Sequence, residues 1–185
     1  MDLLKKVLLV GVVALPMVGA AQAADPVDVQ SDLASLTGFY LRGDAGASML
    51  KWSGGKDDAA LNLSGGMGYQ FNDFVRGDVT YDHGGSFDVG PGAKVSTQAL
   101  MGNLYFDWKN SSAFTPYVGA GLGYGWATGA GYNDSSGVAY GAMAGVSMDM
   151  TQNLALDVGY KFRDIAVAGP DTQEHIVQAG LRFKF

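Results

Sequence analysis

The eleven residues His175-Ile176-Val177-Gln178-Ala179-Gly180-Leu181-Arg182-Phe183-Lys184-Phe185 decide the fold. Val177, Ala179, Leu181, Phe183 and Phe185 share one face of an extended chain; Ile176, Gln178, Gly180, Arg182 and Lys184 share the other. A two-residue period is that of a β-strand. The stretch closes on an aromatic residue with no polar tail after it. An apolar strand left open in water invites edge-to-edge aggregation. The strand is therefore expected to be paired along both edges and to hide its apolar face from water. A barrel closed within a bilayer meets both conditions.

The rest of the chain extends this reading. Its 185 residues make one domain, 48% hydrophobic and only 16% charged, little charge for a surface wetted all round. The absence of cysteine excludes disulfides, a thiolate metal site and a lipid-modified cysteine. A net charge of −6 argues against a nucleic-acid partner. Lys5 and Lys6, the apolar run from Val7 to Val18, and Ala21-Gln22-Ala23 have the order of a cleaved signal peptide over residues 1–23, with Ala21 and Ala23 as the cleavage site. The apolar run is short for a membrane helix. Its removal leaves the mature chain one unit more negative and implies a bacterial-style export route. Residues 24–36, with Asp25, Pro26, Asp28, Gln30 and Asp32, read as a short polar periplasmic lead-in, and residues 37–185 as the barrel. No other stretch is long and apolar enough to cross a membrane as a helix, so strands must do so.

Eight alternating segments are expected, at residues 38–49, 60–71, 74–83, 95–108, 115–127, 138–150, 154–163 and 175–185. Short connections (72–73, 109–114, 151–153) alternate with longer ones rich in Gly, Asp, Pro and Ser (50–59, 84–94, 128–137, 164–172). The pattern predicts an all-β fold: an eight-stranded antiparallel up-and-down transmembrane β-barrel with both termini periplasmic.

Alternation is shared with soluble lipocalin-like barrels, whose faces are reversed. Three features favour the membrane sense. The polar face is rich in Gly and Ser, suiting a cramped lumen. Aromatic residues gather at the strand ends of the apolar face: Phe39, Phe71, Phe74, Phe106, Trp108, Phe183 and Phe185 at one end, Tyr81, Tyr124, Trp126 and Tyr140 at the other. Nine residues at about 3.3 Å each and roughly 40° tilt climb about 23 Å, near the ~25 Å apolar band of such barrels.

The lumen then receives Arg42, Asp44, Arg76, Asp78, Asp82, Asp107, Asp157, Lys161, Arg163 and Arg182, with Asp149 and Lys184. Two readings follow: an ion path with a gated salt bridge, or interlocked ion pairs that stiffen the wall. The narrowness of an eight-stranded lumen favours the second. Arg42-Gly43-Asp44 and Arg76-Gly77-Asp78 repeat one device, with Arg and Asp on the lumen face and Gly toward lipid, where neither tripeptide can meet an adhesion receptor. The alternate glycines Gly119, Gly121, Gly123 and Gly125 lack the helix of a nucleotide-binding loop. His83 and His175 fall on strands that are not neighbours, and the outer loops offer no Ser/His/Asp set. No catalytic, cofactor or metal site is expected.

With the strands in place, the chain resembles the OmpA-type eight-stranded outer-membrane β-barrel family, in particular the alphaproteobacterial porin-family proteins. The resemblance rests on Gly38-Phe39-Tyr40-Leu41-Arg42-Gly43-Asp44, Met101-Gly102-Asn103-Leu104-Tyr105-Phe106-Asp107, Thr115-Pro116-Tyr117-Val118-Gly119-Ala120-Gly121, Leu156-Asp157-Val158-Gly159-Tyr160-Lys161-Phe162 and the terminal Gly180-Leu181-Arg182-Phe183-Lys184-Phe185. It implies insertion by the barrel-assembly machinery, which in this family reads a last strand ending in Phe, here Phe183 and Phe185. It also implies a non-enzymatic structural or surface role. Larger members carry a peptidoglycan-binding domain after the barrel; this sequence ends at Phe185, so direct cell-wall tethering is not expected. The expected function is envelope integrity and surface presentation, and the alternative a narrow diffusion channel for ions or small solutes. Expected partners are outer-membrane lipid, lipopolysaccharide and the assembly machinery, with the barrel a monomer.

Overall fold

The computed structural model describes residues 38–52, 58–90, 93–130, 135–166 and 172–185; the expected signal peptide, its Ala21 and Ala23, and the lead-in lie outside the described residues. Eight strands follow in order: β1 (Phe39–Trp52), β2 (Asp58–Gln70), β3 (Val75–Gly90), β4 (Ala93–Asp107), β5 (Phe114–Ala130), β6 (Ser135–Asp149), β7 (Leu154–Ala166) and β8 (Thr172–Lys184). Each pairs antiparallel with its chain neighbour, and β8 pairs with β1 to close the barrel. The seam runs from Tyr40 opposite Lys184 to Trp52 opposite Thr172. The Phe185 amide donates to the Phe39 carbonyl at 3.1 Å beyond the last ladder pair.

The apolar face points outward. Leu41, Met67, Val79, Leu104, Leu122, Val158 and Val177 are all exposed, whereas Arg42, Asp78, Asn103, Asp157 and Arg182 are buried inside. A soluble barrel has the reverse arrangement. The exterior band needs hydrocarbon around it, and closure leaves no strand edge unpaired there.

Local chemistry explains the tight turns at the rim that carries Phe185, called here the near rim. At the first, the Asn72 side-chain oxygen accepts from the Phe74 and Val75 amides, each at 2.9 Å. At the second, Asn110 accepts from the Ser112 amide at 2.7 Å. At the third, Thr151 Oγ1 accepts from the Leu154 amide at 3.0 Å, while Asn153 Nδ2 donates to the Lys184 carbonyl at 2.8 Å and ties the turn to β8. Asn and Thr side chains that mimic a backbone turn serve well here. Gly38 enters β1 at φ +92°, a conformation that glycine adopts without strain.

The structure corrects the expectation of long connections at the far rim. The strands run on past the expected ends, so only residues 53–57, 91–92, 131–134 and 167–171 lie between them. The largest change is in the stretch expected as a loop at residues 84–94. β3 continues to Gly90, with its register to β4 shifting between Gly84 and Ser86 and again between Asp88 and Gly90. A bulge inserts one unpaired residue and flips the faces beyond it. Before the shift the even positions Asp78, Thr80 and Asp82 are inside; after it, Phe87 is inside and fully buried. A break in parity hides a strand from a search for strict alternation.

Four outward tyrosines mark the far side of the apolar band, each bonded to a polar residue on the next strand. Tyr81 of β3 donates to Gln98 of β4 at 2.8 Å. Tyr124 of β5 bonds Ser136 of β6 at 2.9 Å. Tyr140 of β6 donates to Asp164 of β7 at 2.9 Å. Tyr160 of β7 shares a hydrogen bond with the His175 ring of β8. On the near side the aromatic contacts include edge-on pairs such as Phe106–Trp108 and Phe183–Phe185, with ring centroids 5.0 and 5.3 Å apart, and the stacked rings of Phe74 and Phe106.

Candidate functional site

Strand parity sends every second residue into the lumen, and there two charge clusters form. The first lies toward the near rim. Arg42 of β1 grips Asp44 through Nε and Nη2 at 3.0 and 2.7 Å. Its Nη1 donates to Asp78 of β3 and to the Tyr105 hydroxyl of β4, both at 2.9 Å. Asp78 also accepts from Asn103 at 2.8 Å and from Tyr40 at 3.1 Å. Arg76 pairs with Asp107 at 3.0 Å, and its guanidinium stacks 4.1 Å from the Tyr105 ring centre and 5.0 Å from that of Tyr117. Arg182 of β8 donates to Asp157 of β7 at 3.1 Å and to Ser147 of β6 at 2.8 Å.

The second cluster lies further along. Lys161 Nζ of β7 donates to both oxygens of Asp82 across the lumen at 2.8 and 2.7 Å. Arg163 lies 3.3 Å from the same carboxylate, and its Nη2 donates to Glu174 of β8 at 2.6 Å and to Thr97 of β4 at 3.2 Å. Ser48 of β1 donates to Glu174 at 3.3 Å. Buried charges are tolerated where they are paired and hydrogen-bonded, and the guanidinium–ring contacts add cation–π attraction.

All ten charged residues singled out in the lumen, Arg42, Asp44, Arg76, Asp78, Asp82, Asp107, Asp157, Lys161, Arg163 and Arg182, are buried and ion-paired. The two Arg-Gly-Asp copies differ, however. Arg42 pairs with its own Asp44, whereas Arg76 pairs with Asp107 because Arg42, two strands away, occupies Asp78. Glu174 was not among the ten. β8 begins at Thr172 rather than His175, and the same parity that buries Ile176 also turns Glu174 inward. Asp149 and Lys184 form a pair at the near mouth rather than in the lumen, 2.7 Å apart with side chains 49% and 29% exposed. Replacing Lys184 by Ala is expected to change stability by less than about 1 kcal/mol, measured by urea unfolding in micelles, since exposed pairs contribute little.

His83 and His175 stand on the outer surface of β3 and β8, and among the described residues no three metal-ligating side chains come together. Phe183 and Phe185 lie at the near rim, with Phe183 47% exposed.

A closed eight-stranded wall with paired charges inside and an apolar band outside defines a transmembrane barrel. Residues 10–185 match the family described as outer membrane protein beta-barrel domain. The chain belongs to that family and is a protein of the bacterial outer membrane. It is similar to an uncharacterised protein of Brucella abortus, 27% identical over an alignment that covers 91% of this chain and 94% of that one. The Neisserial surface protein A structure is 27% identical, with a TM-score of 0.72 over 80% of this chain and 98% of that one. The N-terminal barrel domain of Pseudomonas aeruginosa OprF shares the fold at 16% identity and a TM-score of 0.56, over 80% of this chain and 98% of that one.

Proposed function

We propose that this chain is a monomeric, non-enzymatic structural barrel that contributes to envelope integrity and surface presentation, with both termini periplasmic. The observation that carries this reading is the filled lumen: the second charge cluster crosses the interior from β7 to β3, and in the first Arg42 of β1 reaches past β2 to Asp78 of β3 and Tyr105 of β4. Pairing between distant strands stiffens the wall and occupies the space a solute would need. The likeness to a Neisserial surface protein supports a surface role. Lipid and lipopolysaccharide meet the apolar band, and Phe183 and Phe185 supply the signal for the barrel-assembly machinery. The alternative, a narrow diffusion channel, is an outcome of the same experiment. Purified protein in detergent should run as a compact species before heating and shift on heating, and it should leave planar bilayers silent. Defined single-channel steps from the unaltered protein would replace the structural reading with the channel.

Assembly has its own test. The Phe185→Ser substitution removes a ring that packs on Phe183 at the seam. It should lower the membrane-inserted fraction several-fold, measured by heat-dependent gel mobility of envelope fractions. Insertion at the unaltered level would refute the assembly role.

A further inference from the structure

The side-chain bonds of the near-rim cluster leave it in two parts. One part joins β1, β3 and β4 through Arg42, Asp78, Tyr105 and Asn103, with Arg76 on Asp107 beside it. The other joins β6, β7 and β8 through Ser147, Asp157 and Arg182. No side-chain hydrogen bond or ion pair among the described residues connects the two, although the Arg182 guanidinium lies 5.5 Å from the Tyr40 ring centre. In the second cluster, by contrast, Lys161 reaches Asp82 directly from the opposite wall.

Arg76 is fully buried, yet only its Nε is used, on the two oxygens of Asp107 at 3.1 and 3.0 Å. Its Nη1 and Nη2 are buried and bond no protein group among the described residues. The Tyr40 hydroxyl is near Arg76 but outside hydrogen-bond geometry with it. The Tyr105 and Tyr117 rings attract the charge, but a ring is a weak acceptor for an N–H. Buried donors are costly to leave unmade, and nearly all of them bond either protein or ordered water. Tyr117 shows what lies beyond. Its ring is beside Arg76, and its hydroxyl lies over Gly145 and Gly159, where a Cβ at either position would clash with it. Gly159 is two residues from Asp157 on the inward row of β7. After Asp107, Asp157 is the carboxylate whose charge acts most strongly on Arg76.

We propose that ordered water binds Nη1 and Nη2 of Arg76 and links them to Asp157, joining β3 to β7 across the near half of the lumen. Water accepts from the guanidinium and donates to the carboxylate, and about three such bonds hold a buried water in place. An anion does not suit the site, because Asp44, Asp78, Asp107 and Asp157 outnumber Arg42, Arg76 and Arg182 there. The inference rests on the reading of the lumen as filled and names what fills its near half.

A crystal structure of the unaltered protein is expected to show water about 2.7–3.2 Å from an Arg76 terminal nitrogen and leading, through at most one further water, to Asp157. Direct contact between Arg76 and Asp157, a chloride ion at Nη1 or Nη2, or no ordered water there would overturn the bridge. Urea unfolding in micelles tests the link in solution. Asp157→Asn is expected to raise the unfolding equilibrium constant at least about fivefold less in an Arg76→Gln background than in the unaltered protein. Independent effects of the two substitutions would overturn the link. Should Arg76→Gln fail to fold, the crystal structure of the unaltered protein decides. Single-channel steps from the unaltered protein would remove the filled-lumen reading and the bridge with it. Silent bilayers together with independent substitutions would overturn the bridge alone.

Discussion

Replacing Arg163 by Met should cost about 3–5 kcal/mol of stability, because removing one partner strands a buried charge. Arg163 is fully buried and stands between Asp82 and Glu174. Asp82 would retain Lys161, but among the described residues Glu174 would keep only the Ser48 hydroxyl. A second substitution, Glu174→Gln, removes the stranded charge and should recover a large part of the loss. Urea unfolding in detergent micelles, followed by gel mobility, measures both proteins. A double variant no more stable than Arg163→Met would refute the ion-pair account.

The second large effect is expected on the outer surface. Leu122 lies midway along β5 and is 65% exposed. Arginine there would face hydrocarbon and should cost roughly 2–4 kcal/mol, whereas the same residue near the interface costs about 0–1. Ser136→Arg, at the level of Tyr124, serves as the interface comparison. Folding into lipid vesicles at graded urea gives both values. Equal costs at the two positions would mean that the apolar band is misplaced.

The barrel was legible because period-2 alternation runs through every strand, and each lumen charge sits on the parity its strand dictates. Strand ends were less legible. Thr172 to Glu174 look polar and loop-like in isolation, and Leu50 to Trp52 are too few to show a period, yet they pair across the seam. The Gly84-Gly85 bulge erased the alternation that would have shown β3 continuing to Phe87. Pairing partners were not legible either. Arg76 and Asp78 are as close in sequence as Arg42 and Asp44, and only the closed lumen brings Arg42 near enough to compete for Asp78.

The four tyrosine pairs on the far side have a consequence for how the barrel sits in membranes of unequal thickness. A tyrosine that depends on water or headgroups for its hydroxyl pins its ring at one depth. Here each hydroxyl is already satisfied by Gln98, Ser136, Asp164 or His175 on the adjoining strand. These rings can sink slightly into hydrocarbon without losing a hydrogen bond, which lowers the cost of hydrophobic mismatch on that side. The near side, with Phe106, Trp108, Phe183 and the exposed Asp149–Lys184 pair, is anchored more firmly. The barrel should accordingly fold in thin and thick bilayers alike, taking up the difference at its far edge.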